Sequence, residues 1–111
     1  MFFVEAMNGP LDGKRWPFSA DITVGRDAQS VQAALPMDRT VSRRHARIRV
    51  ADGGLELTDL GSSNGTIVGG KPIDASVRIA AGQPFVIGRT MLCVLDLPDP
   101  AAAPNNRSDQ E

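Results

Sequence analysis

The stretch HARIRVADGGLELTDL, His45 to Leu60, contains the alternation of side chains that decides the fold class. The apolar Ala46, Ile48 and Val50 alternate with the polar His45, Arg47 and Arg49. A period of two places these sets on opposite faces of a β-strand, so that one face is buried and the other meets solvent. ADGG favours a tight turn, and Leu55 and Leu57 continue the alternation on a returning strand. The segment is therefore predicted to be a β-hairpin.

Similar short strands, separated by turn residues, are predicted along most of the chain. They are FFVEAM (2–7), RWPF (15–18), ADITVGR (20–26), TIV (66–68) and further strands within SVRIAAGQPFVIGRTMLCVLDL (76–97). GGK (69–71) is assigned to a turn. Many short strands spaced by about 8–12 residues are typical of sandwiches and barrels. The predicted fold is all-β, a β-sandwich of about ten to eleven mostly antiparallel strands.

Two segments depart from the strand pattern. Residues 27–41 form a long connection with little pattern, in which AQSVQAAL (28–35) favours a helix in isolation but is short for a stable one. From Pro98 the sequence PDPAAAPNNRSDQE has no large apolar side chain, so it cannot bury enough surface to offset its ordering entropy. We therefore expect one domain, residues 1–97, followed by a disordered tail, residues 98–111. This tail suits a free end and a linker to further C-terminal domains equally.

Composition restricts the class of protein and its compartment. The chain of 111 residues suffices for one hydrophobic core, and no run approaches the ~20 apolar residues of a membrane helix. The N-terminus has Glu5 and no basic segment, unlike a secretory signal. Because Cys93 is the only cysteine, no intrachain disulfide can form, and its apolar neighbours predict a small buried side chain. We expect a cytoplasmic protein with no membrane contact.

Basic residues are concentrated in one segment, although the net charge of the chain is only −1. Between residues 26 and 49 there are six arginines and two aspartates, hence a local charge of +4. Arginine presents a planar fork of donors that matches carboxylate and phosphate oxygens. Arg47 and Arg49 are assigned to a solvated strand face. The remaining arginines of this segment are candidates for binding an anion.

Three motifs, in this order and at these spacings, resemble the signature of the forkhead-associated (FHA) domain family. They are Gly25-Arg26 at a strand end, Ser42-Arg43-Arg44-His45, and Ser63-Asn64-Gly65-Thr66. GGKPI (69–73) is similar to the next hairpin of that family and IAAGQPFVIG (79–88) to its late strands, so the resemblance extends from about Phe2 to Leu97. It implies an FHA/SMAD-like β-sandwich whose loops at one end bind peptides that a Ser/Thr kinase has phosphorylated on threonine. The form of VSRRHARI is more typical of bacterial than of eukaryotic members.

The resemblance also implies a role for each motif residue. The phosphopeptide-binding residues would be Arg26, Ser42, Arg43, Ser63 and Asn64. A phosphothreonine carries about −1.5 to −2 charges and three strong acceptor oxygens, which the guanidiniums and hydroxyls would satisfy, while the Asn64 amide would bind the ligand's main chain. Structural support would come from Gly25, His45, Gly65 and Thr66. Of these, His45 would tie the Ser42 loop to neighbouring backbone, and Gly65 would complete an Asn-Gly turn.

Other functions fit the sequence less well. Ser42 and His45 could suggest a nucleophile and its base, but nothing supplies the third group of a triad, so no catalytic residue is assigned. One histidine and one cysteine far apart make no metal site, and no cofactor is expected. Nucleic-acid binding would need a broad basic face and stacking aromatics, whereas the chain has no tyrosine and one tryptophan. The alternative that remains is a phosphate-independent interaction scaffold that uses the same loops.

Overall fold

The computed structural model describes residues 1–98, which form eleven β-strands and one short 3-10 helix. The strands are β1 (Phe2–Ala6), β2 (Arg15–Phe18), β3 (Asp21–Gly25), β4 (Ala33–Ala34), β5 (Ala46–Ala51), β6 (Gly54–Asp59), β7 (Thr66–Val68), β8 (Lys71–Pro72), β9 (Ser76–Ile79), β10 (Phe85–Ile87) and β11 (Thr90–Asp96). The 3-10 turn, Gly9–Leu11, lies between β1 and β2. Within residues 1–98 no helix is long and apolar enough to cross a membrane. The predicted tail lies, from residue 99 onward, outside the described residues.

The strands pair into two sheets. One sheet has the order β2-β1-β11-β10-β7-β8, and the other has the order β4-β3-β5-β6-β9. The neighbouring strands are antiparallel except β3 and β4, which are parallel. The predicted all-β fold of ten to eleven mostly antiparallel strands is confirmed. The hairpin predicted for residues 45–60 is β5–β6, and its turn residues Asp52 and Gly53 have φ of 51° and 76°, the positive values that a type I′ turn requires.

The core is built from the inward-facing residues of each strand. Ile48 lies opposite Leu57 in one sheet, and Phe85 lies opposite Leu92 in the other; all four are at most 1% exposed. Burying one such side chain contributes about 1.5–3 kcal/mol to folding. Cys93 is 3% exposed, which confirms the prediction of a small buried side chain, and burial raises the pKa of its thiol. The two sheets thus form a rigid support for the loops at their ends.

Residues 28–35 do not form the helix that their composition favours in isolation; the segment is a single turn followed by extended chain. The turn is closed by the carbonyl oxygen of Asp27, which accepts the N–H groups of Ser30 (2.9 Å) and Val31 (3.1 Å). The buried residues that follow are Val31, Ala33 and Leu35, at a period of two. Burial of this alternating face and pairing of β4 with β3 outweigh a helix propensity that is weak over so few residues.

Two short edge strands, β4 and β8, were not predicted from the strand pattern, although the hairpin that the resemblance implies at GGKPI includes β8. Each has only two residues, and β8 begins at Lys71, inside the segment that was assigned to a turn. The outermost strands of the larger sheet, β2 and β8, contain Pro17 and Pro72. Proline lacks an N–H and is tolerated at a sheet edge, where it also blocks pairing with a further strand.

Gly25, at the end of β3, sets how closely the chain before β5 approaches the sheet. A Cβ on Gly25 would lie 2.0 Å from the carbonyl oxygen of Arg43. The same approach allows the N–H of Arg26 to donate to the carbonyl oxygen of Ser42 at 3.0 Å. Glycine is therefore required here for close packing of two backbone segments.

We expect Gly25→Ala to lower the free energy of unfolding by about 2 kcal/mol or more, because backbone must move to admit the methyl group. Urea unfolding would measure the loss. Gly54→Ala is the matched control, since its Cβ would first meet the guanidinium of Arg78 at 2.4 Å, and that flexible side chain can move away. Equal losses in the two variants would contradict this explanation.

Candidate functional site

The buried imidazole of His45 joins the two loops that carry most of the candidate residues. We define these as the first loop, residues 35–45 before β5, and the second loop, residues 60–65 between β6 and β7. The Nδ1 atom of His45 accepts the N–H of Ser42 at 3.0 Å, and Nε2 lies 2.8 Å from the carbonyl oxygen of Gly65. Because Nδ1 is an acceptor, the ring proton resides on Nε2, which donates to Gly65. His45 is 0% exposed because the second loop covers it.

Asp59, the last residue of β6, organises the second loop. One carboxylate oxygen accepts the N–H groups of Gly61 and Ser62, each at 3.1 Å. The other accepts the hydroxyls of Ser62 (2.5 Å) and Thr66 (2.8 Å). Burial raises the pKa of Asp59, but the hydrogen bonds lower it by more, so that its pKa lies below the ordinary value. The carboxylate therefore holds both ends of the loop, including the fully buried Thr66.

Asp38 has a similar role between the first loop and the β10–β11 turn. Its carboxylate accepts the N–H and the hydroxyl of Thr40, the N–H of Arg89 (2.9 Å) and the hydroxyl of Thr90 (2.8 Å). Burial raises the pKa of Asp38, but the hydrogen bonds lower it more, so the net shift is downward. Gly88 has φ +64°, and its Cβ would lie 2.6 Å from the hydroxyl of Thr40. The turn can approach the first loop this closely only with glycine there.

Arg26 and Arg43 line a common cleft of about 370 Å³ together with Asp27 and Pro36. Both arginines are exposed. The Nε–H of Arg26 donates to the carbonyl oxygen of Val41 at 3.0 Å, which holds the stem of the side chain and leaves the terminal nitrogens facing outward. Asp27 lines the same cleft; hydrogen bonds from Ser30 and Gln29, and the charges of Arg43 and Arg26, lower its pKa. The cleft thus presents two guanidiniums and one carboxylate to solvent.

The remaining candidate residues lie where the two loops meet. The Oγ atom of Ser42 accepts the N–H of Ser63 at 3.1 Å, so the Ser42 hydroxyl proton can point to an outside acceptor. Asn64 donates one amide N–H to the carbonyl oxygen of Thr40 at 2.8 Å, and its second N–H and its Oδ1 atom remain for other partners. Ser63 and Asn64 are exposed. His45 contacts the backbone of Ser42 and not its hydroxyl, so the geometry does not form a nucleophile and base pair.

The structure thus brings the five predicted binding residues to one end of the sandwich, on two linked loops and the end of β3. The sequence analysis missed the residues that hold these loops: Asp27, Asp38, Asp59, Ser62 and Gly88. Asp59 could have been found, because an aspartate followed by glycine and serine is typical of a turn in which the side chain accepts nearby N–H groups. Asp38 could not have been found from the sequence, since its partners Arg89 and Thr90 lie about fifty residues away.

Comparison with known proteins agrees with this architecture. The family model described as FHA domain matches residues 22–100. Glycogen accumulation regulator GarA of Mycobacterium tuberculosis is 38% identical over 91 residues, which cover 81% of this chain and 54% of GarA. The chain spans about half the length of the curated relatives that it matches, from 38% to 57%.

Two solved structures show the same fold. The FHA domain of CT664 protein from Chlamydia trachomatis has a TM-score of 0.79 at 29% identity, covering 87% of this chain and 98% of that one. A structure from a structural and functional analysis of phosphothreonine-dependent FHA domain interactions has a TM-score of 0.72 at 30% identity, covering 87% and 97% of the two chains.

We expect His45→Phe to lower the free energy of unfolding by about 2–4 kcal/mol, because it leaves the Ser42 N–H and the Gly65 carbonyl without their partner. His45→Gln should cost less, since its amide can still donate to Gly65. Urea unfolding of the wild type and of the two variants would measure the order of their stabilities. A His45→Phe variant as stable as the wild type would show that the imidazole does not hold the loops together.

The lowered pKa of Asp59 predicts a dependence of stability on pH. Its folded-state pKa lies below the unfolded value of about 3.9, so the stabilisation is complete above about pH 5 and is lost as the pH falls through the folded pKa. Asp59→Asn should therefore be less stable than the wild type at pH 7, and the difference should shrink at pH 3. Urea unfolding at pH 7 and pH 3 would measure this difference in stability. Asp74→Asn is the control, since Asp74 is exposed. A difference that is the same at both pH values would contradict the assignment.

Proposed function

The chain belongs to the FHA domain family, and we propose that it recognises phosphothreonine-containing segments of partner proteins. The observation that carries the proposal is the cleft in which Arg26 and Arg43 face solvent side by side. A phosphorylated threonine supplies the matching charge and acceptor oxygens. The phosphothreonine-dependent interactions named for a structurally similar FHA domain support the same ligand class.

In this proposal each binding residue has a separate task. Arg26 and Arg43 neutralise the phosphate and donate charge-assisted hydrogen bonds. Ser42 and Ser63 add hydroxyl donors from the junction of the two loops. Asn64, anchored through one N–H to the first loop, uses its remaining donor and its Oδ1 atom on the main chain of the ligand. Through these contacts Asn64 would hold the main chain of an extended peptide beside the phosphate.

The energetics of such a site are those of a reversible interaction. Each hydrogen bond to a charged group contributes about 1.5–3 kcal/mol net. Three or four of them, less the cost of ordering the peptide, give about −8 kcal/mol, which corresponds to a micromolar complex. Asp27 opposes this binding, because its carboxylate lines the same cleft as the two cations that would bind the phosphate.

The proposal places the chain downstream of a Ser/Thr kinase and in the cytoplasm, where such kinases use ATP. The relative GarA is named a regulator, which supports a role in which binding changes the activity of a phosphorylated partner. Binding of partners without phosphate through the same loops is the alternative, and the same titration distinguishes the two.

We expect the domain to bind a degenerate phosphothreonine peptide pool with micromolar affinity and to bind the unphosphorylated pool weakly or not at all. Arg43→Gln should weaken binding about ten- to hundredfold, because it removes one or more charged hydrogen bonds. Its side chain makes no hydrogen bond or ion pair within residues 1–98, so stability should be retained. Fluorescence anisotropy with labelled pools measures the affinities.

Arg49→Gln is the matched control, since it removes the same charge from a sheet face where Arg49 pairs with Glu56; its affinity should equal that of the wild type. A phosphoserine pool reports the preference for threonine. Equal binding of phosphorylated and unphosphorylated pools would support the phosphate-independent alternative, and binding that is insensitive to Arg43→Gln would remove the assigned cleft from the site.

A further inference from the structure

The edge of the smaller sheet at β9 differs from the other sheet edges that the structure describes. The larger sheet ends at β2 and β8, each of which contains a proline, and the smaller sheet ends on its other side at β4, which has only two residues. β9 has four residues and no proline. Proline and shortness both hinder the pairing of a further strand with an edge. Among the described edges, β9 is therefore the most open to such pairing.

Two residues of β9 direct their backbone polar groups away from the sheet. The N–H of Asp59 donates to the carbonyl oxygen of the directly opposite Ala75 at 2.9 Å. In an antiparallel ladder, hydrogen-bonded and non-hydrogen-bonded pairs alternate, so Ala75 and every second residue after it bond to β6. Ser76 and Arg78 lie in between. Their N–H and C=O groups face the open side, where no group of residues 1–98 pairs with them.

The open side ends at Ala80, whose backbone groups are already occupied. The Oε1 atom of Gln83 accepts the N–H of Ala80 at 2.9 Å, and the N–H of Gln83 donates to the carbonyl oxygen of Ala80 at 3.0 Å. One residue of the same chain thus satisfies the outward groups of Ala80, as a neighbouring strand would. The part of the edge that remains for another strand is β9 itself.

Charges alternate in sign across the outer face of the smaller sheet and end at β9. On successive strands Asp21 lies opposite Arg49, Arg49 opposite Glu56, and Glu56 opposite Arg78. Opposite charges that face each other across strands stabilise the sheet, and the guanidinium of Arg49 lies 3.1 Å from the carboxylate of Glu56. A further strand would place a residue opposite Arg78. A carboxylate at that position continues the alternation.

The charge of Arg78 is only partly satisfied by the fold. Its side chain is 55% exposed, and the carboxylate of its ion-pair partner Asp52 is 92% exposed and lies 3.6 Å away. A pair this exposed contributes little and is screened by solvent. The guanidinium also donates to the carbonyl oxygen of Ala51 at 2.7 Å. Because arginine has five N–H donors, others remain for a carboxylate on a neighbouring strand.

A cleft of about 210 Å³ lies at the end of β9, between the two sheets. Its walls include the buried Leu55 and Ile79 of the smaller sheet and Phe2 of the larger sheet. Residues that lie opposite each other on neighbouring strands place their side chains on the same face of the sheet. On a strand added to β9, the residue opposite Ile79 would therefore face inward, at this cleft. An apolar side chain suits that position.

We propose that β9 binds an extended segment of a partner protein as an added strand, a mode in which main-chain hydrogen bonds give affinity and side chains give specificity. The segment has an acidic residue opposite Arg78 and an apolar residue next to it, opposite Ile79. A second copy of β9 does not fit, because its sequence SVRI contains no acidic residue. Residues 99–111 of this chain do not fit either, because they contain no large apolar side chain. This binding requires no phosphate and is separate from the proposed function.

The test uses unphosphorylated degenerate peptide pools in which a fixed glutamate has valine on each side and proline is left out elsewhere. Valine on both sides places one opposite Ile79 in either strand direction. A matched pool has lysine in place of the glutamate. The wild type should bind the glutamate pool about three- to tenfold more tightly than the lysine pool, as expected of charges at an exposed edge, and the preference should shrink as salt is raised. Fluorescence anisotropy with labelled pools measures the affinities.

Ser76→Pro removes one outward N–H and blocks the edge as the prolines of β2 and β8 do, so binding of the glutamate pool should weaken about tenfold or more. Arg78→Gln should retain weaker binding, with equal affinity for the two pools. Amide hydrogen exchange measured by NMR provides a second readout, because the amides of Ser76 and Arg78 should become protected when the wild type is saturated with the glutamate pool.

Two variants serve as controls. Arg15→Gln removes one charge from the larger sheet, where Arg15 pairs with Glu5, and Arg43→Gln removes one from the cleft assigned to the phosphate. Both should keep the preference for glutamate. Circular dichroism would establish that each variant is folded, and if Ser76→Pro is not, Arg78→Gln and the amide exchange decide.

Three outcomes would each overturn the inference. They are equal affinity of the wild type for the two pools, unchanged exchange of the Ser76 and Arg78 amides, and loss of the preference in Arg43→Gln. The last result would assign the glutamate to the Arg26–Arg43 cleft. None of the three bears on phosphothreonine recognition, which is measured with phosphorylated pools.

Discussion

The candidate site depends on one buried imidazole that accepts a hydrogen bond from one loop and donates to another. His45 links the N–H of Ser42 to the carbonyl oxygen of Gly65; the first loop leads into β5 of the smaller sheet, and the second loop passes from β6 of that sheet to β7 of the larger one. A ring that must be neutral, with its proton on Nε2, cannot also act as a proton shuttle without breaking one of the two contacts. The only histidine of the chain is therefore committed to architecture. The proposed recognition is therefore assigned to the serine, asparagine and arginine side chains around it.

Two carboxylates also hold the loops in place. Asp59 holds the second loop, and Asp38 holds the first loop against the β10–β11 turn. Both accept several hydrogen bonds, and both consequently have lowered pKa values. The surface proposed to bind a phosphate thus contains two partly buried carboxylates, whose negative charge is stabilised by the hydrogen bonds that they accept. The exposed arginines remain as the groups that meet solvent.

Much of the fold followed from alternation and turn chemistry, and less of the site did. The hairpin at residues 45–60 was predicted because its apolar period is two and its turn contains Asp52-Gly53. The segment 28–35 was left open, because alanine and glutamine favour a helix locally, whereas the burial of Val31 and Leu35 and the pairing of β4 with β3 depend on the tertiary structure. The five predicted binding residues came from the motifs of the family resemblance, and the structure places them at one end of the sandwich. Asp38 and Gly88 were out of reach because their contacts join segments about fifty residues apart, which no local pattern reports.

The pairing of the first strand with the last has a consequence for how the domain acquires its structure. β1 lies between β2 and β11, and the N-terminal amine of Met1 donates to the carbonyl oxygen of Leu97. The larger sheet therefore cannot be completed until the chain has been synthesised through Asp96, and its central contact closes a loop of almost the whole domain. Contacts between residues so far apart in sequence slow folding, because the chain loses the entropy of loop closure before the contact contributes any stabilisation. The smaller sheet, whose strands are contiguous from β3 to β6, can form first. On this basis we expect the sheet that carries Gly25 and Asp59 to form before β1 pairs with β11.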